Sequence, residues 1–328
     1  MNESIKSVLL IAEILYDAKC LDEIANTNHL FYEMILFDRP AVLRITECSE
    51  NRNAQIINLE LKWLAYLSRN VDNVAKLVLS VNNNAYETIE HEGKKYIVGA
   101  FEKAIGQDGL DIRKIEKSII CNLGKAIGKI HSATKRFNEY DANDVEKFAW
   151  YNNEDFLTEL NIDECEVNLF EEKYFQKIKS LCMTKENYGV IHADIHTSNF
   201  FVDNGNITII DFNDSEFNWY VADVAYILFQ YAVQCTDNTD DKNKERIELT
   251  EQFLTSFLKG YIQENTINKD WLCLLEIFVK YRRIMIYKVV CKQDWNKEYA
   301  AWLKSGILRD APLVEIDYIK IMNSVYRE

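Results

Sequence analysis

The hydrophobic pattern of the first hundred residues switches between helical and strand periodicity. Two neighbouring segments alternate and are rich in aromatic and β-branched residues, which is typical of strands. The turn Asp38-Arg39-Pro40 separates them, so we expect them to pair in antiparallel fashion. The pattern predicts helices over residues 1–20 and 55–68, and strands over residues 30–38, 41–46, 84–89 and 94–101.

Beyond residue 101 the pattern is mainly helical. A strand over 189–194 and a hairpin over 199–212, with its turn at 203–206, are inserted among the helices. A small antiparallel sheet followed by helices predicts an α+β fold with two lobes, residues 1–102 and 103–328, joined near 101–108. The predicted helices of the second lobe cover residues 113–134, 150–184, 221–235, 246–264 and 269–292, followed by a helical tail.

Composition and charge narrow the class of protein. The chain has 328 residues and a formal net charge of −14, which disfavours nucleic acids and anionic membranes as partners. Its eight cysteines are scattered singly, so no zinc ribbon is expected. Charged residues interrupt every apolar stretch before membrane-spanning length, which predicts a cytoplasmic protein. The oligomeric state stays open.

The predicted strand and hairpin of the second lobe carry the residues with the most informative chemistry. Asp194 stands at the end of the strand, Asn199 follows five residues later, and Asp211 comes directly after the hairpin. The turn between them lets three oxygen-bearing side chains converge. Phosphoryl transfer needs one carboxylate to orient the acceptor hydroxyl, and a carboxylate and an amide to hold Mg²⁺ against phosphates.

These residues resemble a known superfamily. The pattern H-x-D-x-x-x-x-N followed by I-D-F is similar to that of the aminoglycoside phosphotransferase and choline kinase superfamily, which has the protein-kinase fold. The run IIDFNDSEFNWYVADVAY looks like the branch of bacterial homoserine-kinase-like and RdoA-type kinases. The resemblance implies Asp194 as catalytic base, Asn199 and Asp211 as Mg²⁺ ligands, His192 as orienter of the loop, and Asp223 as its structural support.

A competing interpretation uses part of the same segment. His192, Asp194 and His196 alternate along the predicted strand and could present two imidazoles and a carboxylate to a transition metal. The three other histidines of the chain lack ligand spacing, which weakens this interpretation.

In the first lobe, the resemblance implies a basic residue on the third strand paired with a helix acid. Arg44 and Glu60 occupy those places and would hold the phosphates of ATP, or of GTP. No glycine precedes Gly93, so a glycine-rich phosphate loop is absent, and Asn28 is the expected contact in its place. The adenine edge should meet free backbone groups within residues 97–101, which assigns the remaining nucleotide contacts to Val98 and Ala100.

The acceptor site is expected near the end of the hairpin. Asp214, Glu216 and Trp219 are the candidate contacts, and the two carboxylates would suit a cationic acceptor such as an aminoglycoside or an amino alcohol. The run Tyr281-Arg282-Arg283 could instead face an anionic acceptor or form a basic helix face. Three hypotheses follow: a kinase acting on a small-molecule hydroxyl, an RdoA-type protein Ser/Thr kinase, and a non-catalytic nucleotide-binding scaffold.

Overall fold

A computed structural model of the chain describes residues 3–26, 29–36, 38–48, 54–152, 164–237 and 239–326. An antiparallel sheet is followed by a mainly helical part, which confirms the predicted α+β class. Across these residues, no helix is long and apolar enough to cross a membrane.

The first sheet is antiparallel throughout and has helices packed on both faces. Its strand order is β1-β2-β3-β6-β4, and β5 also pairs with β6. The strands are β1 (Ala18–Asn26), β2 (Leu30–Leu36), β3 (Arg39–Glu47), β4 (Leu77–Val78), β5 (Glu87–His91) and β6 (Lys94–Glu102). The helices are α1 (Glu3–Tyr16) and α2 (Ala54–Asn70).

Alternation along β6 decides which side chains face which helix. Val98 and Ala100 lie in the apolar cluster formed with α1, whereas Ile97 and Phe101 lie in the larger cluster that includes α2. The apolar stripe of α1 therefore packs against the sheet, as its amphipathic pattern predicts. The helix ends before Asp17, whose φ is +46°.

The helical part encloses two small pairs of strands. The pairs are β7 with β10 and β8 with β9, where β7 is Tyr188–Ile191, β8 is Phe200–Asp203, β9 is Asn206–Ile209 and β10 is Glu216–Trp219. The helices are α3 (Lys117–Thr134), α4 (Ala142–Lys147), α5 (Cys165–Lys179), α6 (Tyr220–Gln234), α7 (Lys244–Tyr261), α8 (Lys269–Cys273), α9 (Leu275–Lys292), α10 (Lys297–Leu308) and α11 (Tyr318–Val325).

The predicted hairpin is confirmed, and its turn has the backbone that tight hairpins require. Asn204 and Gly205 both have positive φ, at +49° and +84°, as in turns whose twist matches the flanking strands. The crossing of α3 and α7 also depends on glycine: a Cβ at Gly124 would lie 1.9 Å from the carbonyl oxygen of Phe257. This close approach to α7 fixes the position of α3, which also packs against β9 of the hairpin.

Several predicted boundaries differ from the structure. The helix expected over 1–20 ends at Tyr16, and residues 18–20 already belong to β1. The strand expected over 189–194 ends at Ile191, because the next backbone N–H groups bind a side chain instead of a neighbouring strand. The helix expected over 269–292 is interrupted at Leu274. The helix expected over 150–184 is described only as a short 3₁₀ turn at Trp150–Asn152 and α5, since residues 153–163 lie outside the described residues.

The sheet and the helical part share one apolar core beside the hairpin. The Trp63 ring of α2 packs edge-on against Phe212 with 5.4 Å between ring centroids, and its Nε1 donates to Thr134 Oγ1 at 3.0 Å. Because Phe212 follows Asp211 directly, this contact fixes the end of the hairpin against the sheet part.

Asp310 generates a prediction about stability and pH. It contacts Lys173 Nζ at 2.5 Å, the Tyr174 hydroxyl and Lys280 Nζ at 3.3 Å, and thus connects α5, α9 and the end of α10. Burial alone would raise the pKa of Asp310, but the hydrogen bonds from Lys173 and Tyr174 and the charge of Lys280 lower it to about 2. A lowered carboxyl pKa stabilises the fold above its unfolded value of about 4.

We therefore expect Asp310→Asn to lower the free energy of unfolding by about 1 kcal/mol at neutral pH, since the side chain is 35% exposed and its charge is screened. The difference from wild type should persist to about pH 5 and shrink as the pH falls from about 4 towards 2. Urea unfolding across this range measures it, with the exposed Asp22→Asn as control. A difference that is equal at every pH would contradict the prediction.

Candidate active site

The loop after β7 is held by one buried carboxylate. Asp223 of α6 accepts hydrogen bonds from the backbone N–H groups of His192, at 3.0 Å, and Ala193, at 2.7 Å. His131 Nε2 lies 3.0 Å from the same carboxylate, and His131 Nδ1 lies 2.8 Å from the Tyr261 hydroxyl. These contacts stabilise Ala193 at φ +66°, a conformation that L-residues rarely adopt.

Both ring nitrogens of His192 bind backbone groups. Its Nε2 lies 2.9 Å from the carbonyl oxygen of Ile210, which can only accept, so Nε2 carries the proton. Nδ1 then accepts from the Asp194 N–H at 3.3 Å. The imidazole connects the loop to the hairpin and has no nitrogen left for a metal. Among the described residues, no group of three or more His, Cys, Asp or Glu could hold a metal ion, so the transition-metal interpretation is not supported.

Asp194 is half-buried and has a donor beside each carboxylate oxygen. His196 Nε2 lies 3.4 Å from Oδ2, and Arg282 Nη2 lies 3.3 Å from Oδ1. Asn199 Nδ2 donates to the Asp194 carbonyl at 2.8 Å and lies 3.4 Å from Oδ2. Burial alone would raise the pKa of Asp194, but the hydrogen bond from His196 and the charge of Arg282 lower it to about 2. The carboxylate is therefore ionised at neutral pH and able to accept a proton from a hydroxyl.

Asn199 and Asp211 fit a hard divalent cation. The Asn199 amide nitrogen is committed to Asp194, which leaves its oxygen as the atom available to a cation. Asp211 has φ +60° and accepts a hydrogen bond from Asn213 Nδ2. Both residues line one cavity, and an amide and a carboxylate oxygen are the ligand types that Mg²⁺ and Ca²⁺ prefer.

Arg44 connects the sheet to the hairpin end. Its Nη1 lies 2.5 Å from Glu60 Oε1 and 2.5 Å from Asn213 Oδ1, and the Arg44 and Glu60 side chains are almost fully buried. Its Nη2 is buried and has no hydrogen-bond partner within the described part of the chain. Since an unmatched buried donor is costly, this nitrogen fits an anionic group in the cavity, such as a phosphate.

The cavity has a volume of about 320 Å³ and lies between the first sheet and the hairpin. Most of its lining is apolar, and Arg44, Asn199 and Asp211 are among its polar groups. Its other lining residues include Ala25, Phe31, Val42, Leu64, Phe101, Lys103, Ala104, Ser198 and Phe201. A largely apolar lining with a few charged and polar groups fits a nucleotide, whose base needs apolar contacts and whose phosphates need polar partners.

Two predicted nucleotide contacts are wrong. β6 has a partner strand on both sides at Val98 and at Ala100, so their backbone groups are not free, and their side chains face α1. The cavity reaches the chain slightly later, at Phe101, Lys103 and Ala104. The backbone groups that a base could meet therefore lie at and just after the end of β6, not at Val98 and Ala100.

The glycine-free loop between β1 and β2 is only partly described. Asn28 lies outside the described residues. Ala25, at the end of β1, lines the cavity. His29 is buried, and its Nδ1 lies 2.7 Å from Thr46 Oγ1, so this side chain packs into the sheet.

Two of the three predicted acceptor contacts are also wrong. Glu216 and Trp219 belong to β10, which pairs with β7, and both side chains are buried. Trp219 is 1% exposed and packs against Trp150, Tyr188 and other aromatic rings of the core. Neither residue can contact an acceptor from this position. Asp214 is exposed and stays a prediction.

Sequence interpretation missed the partners of Asp194. The sequence predicts Arg282 only within a basic run that could face an anionic acceptor or form a basic helix face, and His196 only as a possible metal ligand. Asn213, which joins Arg44 to Asp211, is expected from the sequence only at the acceptor surface, and His131, which supports Asp223, has no local signal. Asn213 is far from Arg44 in sequence and His131 is far from Asp223, so these contacts depend on how the elements pack.

Comparison with known proteins gives a consistent result. The model of the phosphotransferase enzyme family matches residues 29–271. The amicoumacin kinase of Bacillus subtilis (strain 168) is 28% identical over 305 residues, which cover 90% of this chain and 89% of that protein.

Solved structures agree with this match. An amicoumacin kinase, hAmiN, in complex with AMP-PNP, Ca²⁺ and Ami superposes with a TM-score of 0.82 at 26% identity, covering 98% of this chain and all of the other. A microcompartment-associated aminopropanol kinase has the same fold, with a TM-score of 0.65 at 20% identity over 93% of this chain and 94% of that one.

The geometry around Asp223 generates a prediction. Asp223→Asn replaces one carboxylate oxygen with an NH₂ group that faces donors, so the loop that carries Asp194 should shift. Because a shift of about 1 Å can cost on the order of 10²-fold in rate, we expect acceptor-dependent ADP release to fall by about that factor. Nucleotide affinity should change little.

Steady-state kinetics and nucleotide titration measure both effects, with the exposed Asp240→Asn as matched control. Turnover of the Asp223 variant within twofold of wild type would show that this carboxylate does not position the loop.

Proposed function

The chain belongs to the phosphotransferase enzyme family, and we propose that its cleft holds a magnesium nucleotide beside Asp194, which orients the acceptor hydroxyl. It is an ATP-dependent kinase that transfers a phosphoryl group to a hydroxyl of a small molecule. The predicted superfamily is thereby confirmed, and so is the protein-kinase-like fold of its members. We assign residues 1–102 to the nucleotide-binding lobe and residues 103–328 to the lobe with the catalytic loop.

One observation carries the proposal: an ionised carboxylate lies directly beside a cavity that fits a nucleotide. Asp194 is hydrogen-bonded to Asn199, which lines the cavity together with Asp211 and Arg44. A hydroxyl bound at Asp194 would therefore lie next to the position of the terminal phosphate. This adjacency is what in-line phosphoryl transfer requires.

Each residue of the site has its own role in the transfer. The acceptor O–H donates to Asp194, and the proton passes to that carboxylate as the acceptor oxygen bonds to the γ-phosphorus and the bond to the β-phosphate oxygen breaks. Asn199 and Asp211 would hold the divalent cation, which when bound neutralises charge on the phosphates. Arg44 donates from Nη2 to a phosphate oxygen, and Glu60 keeps its guanidinium in place.

For the acceptor, we propose an amine-bearing hydroxyl compound, either amicoumacin itself or a simpler amino alcohol. The similarity to amicoumacin kinases over nine tenths of the chain supports the first possibility. The net charge of −14 and the exposed Asp214 favour a cationic ligand in either case. The protein-kinase and scaffold hypotheses have no comparable support. The expected compartment is the cytoplasm, where the nucleotide is supplied.

A panel assay tests the proposal. Nucleoside diphosphate release from Mg-ATP and Mg-GTP is followed with amicoumacin, an aminoglycoside, choline, homoserine, 1-amino-2-propanol and a generic protein, and products are identified by mass. We expect release that depends on an amine-bearing small molecule and yields a phosphorylated product. The control Asp211→Asn should lose at least about 10²-fold in turnover, because a ligand of the cation is removed.

Phosphorylation of the protein alone would contradict the proposal, and so would unchanged turnover in the Asp211 variant. Release with GTP but not ATP would change the nucleotide and leave the chemistry in place.

A further inference from the structure

Arg282 reaches the proposed reaction centre from a distant helix. It lies on α9, 88 residues from Asp194 in sequence, and its Nη2 is 3.3 Å from Asp194 Oδ1. Its guanidinium carbon is 4.3 Å from the ring centroid of Tyr226 on α6, a cation–π contact. The side chain is 16% exposed, so it is held by these contacts and is still partly accessible.

The two carboxylate oxygens of Asp194 have different neighbours. His196 and Asn199 lie near Oδ2, on the side of the loop, and Arg282 lies near Oδ1, on the side of α9. All three contacts are at the long end of hydrogen-bond range, and a carboxylate offers about four lone-pair positions. Room therefore remains for a short hydrogen bond from an acceptor hydroxyl.

An acceptor that binds Asp194 also lies close to the guanidinium. Arg282 has five N–H donors, and the contact with Asp194 uses one nitrogen. Its planar donor array is suited to oxygen acceptors such as carbonyl and carboxylate groups. If the acceptor instead placed an ammonium group on the side that faces Arg282, the two positive charges would lie close together and repel each other.

We propose that Arg282 determines acceptor specificity by donating a hydrogen bond to a carbonyl-type oxygen borne by the carbon next to the one that carries the reacting hydroxyl. The amine of the acceptor then lies on the opposite side of that hydroxyl, away from α9. This inference rests on the proposed function and narrows its substrate class from amino alcohols to amino alcohols with an adjacent amide or carboxylate.

Three acceptors that differ in one group test the inference. All three carry an aminomethyl group on one side of the hydroxyl-bearing carbon and differ in the group on the other side. That group is a methyl in 1-amino-2-propanol, a carboxamide in 3-amino-2-hydroxypropanamide and a carboxylate in 3-amino-2-hydroxypropanoate. We expect wild type to prefer the two oxygen-bearing acceptors by roughly 10- to 100-fold in kcat/KM, the usual worth of a hydrogen bond to a charged group. Most of the preference should be in KM.

Arg282→Met keeps the apolar length and removes the donors, so the preference should fall to about one. Arg282→Lys restores a point charge without the planar fork, and should recover preference for the carboxylate more than for the amide. Lys292→Met, an exposed residue on the same helix, is the matched control and should behave as wild type. Nucleotide affinity and melting temperature show whether each variant is folded.

The outcomes separate the inference from the function beneath it. If Arg282 served only as counter-ion of Asp194, or contacted only the transferred phosphoryl group, Arg282→Met would lower kcat equally for all three acceptors and leave their ratio unchanged. That result, or a wild-type ratio near one, overturns the inference and leaves the kinase intact. Phosphorylation of none of the three by wild type excludes simple amino alcohols as acceptors and overturns the inference. The amicoumacin arm of the panel assay then shows separately whether the proposed function holds.

Discussion

A single buried carboxylate sets the geometry on which the candidate active site depends. Asp223 receives two backbone N–H groups from the loop after β7 and one imidazole from α3, so three elements converge on one charge. Without this acceptor, the N–H groups of His192 and Ala193 would be buried and unmatched, and Ala193 would still hold an unfavourable φ. The carboxylate thereby ends the strand at Ile191 and places Asp194 within hydrogen-bond distance of Asn199, which lines the cavity.

A second set of polar contacts joins the sheet to this loop region. Glu60 and Asn213 both bind Arg44 Nη1, and Asn213 also donates to Asp211. The proposed phosphate donor and the proposed cation ligand are thus parts of one network. Because removing one partner of a buried ion pair leaves an uncompensated charge, the network is sensitive to each member. An arginine suits this place, since Nη1 holds the network and Nη2, which has no partner within the described residues, is the proposed phosphate donor.

The sequence predicted what is local and missed what depends on packing. Asp194, Asn199 and Asp211 lie within the single segment 194–211, so their spacing alone predicts that they meet: Asn199 binds Asp194 and lines the cavity together with Asp211. Val98 and Ala100 were misassigned because periodicity does not reveal that β6 is paired on both sides. Glu216 and Trp219 were misassigned because β10 has four residues and no alternation, and only its pairing with β7 makes it a strand. The position of Arg282 beside Asp194 depends on how α9 packs, which no local pattern encodes.

The central claim is that Asp194 orients the acceptor hydroxyl on a loop positioned by Asp223. The most direct test is a single-turnover measurement of phosphoryl transfer by wild type and Asp194→Asn, with saturating Mg-ATP and an accepted acceptor, together with nucleotide binding. We predict that the transfer rate falls by at least about 10²-fold while nucleotide affinity changes by no more than about threefold. An undiminished transfer rate in Asp194→Asn would contradict the account.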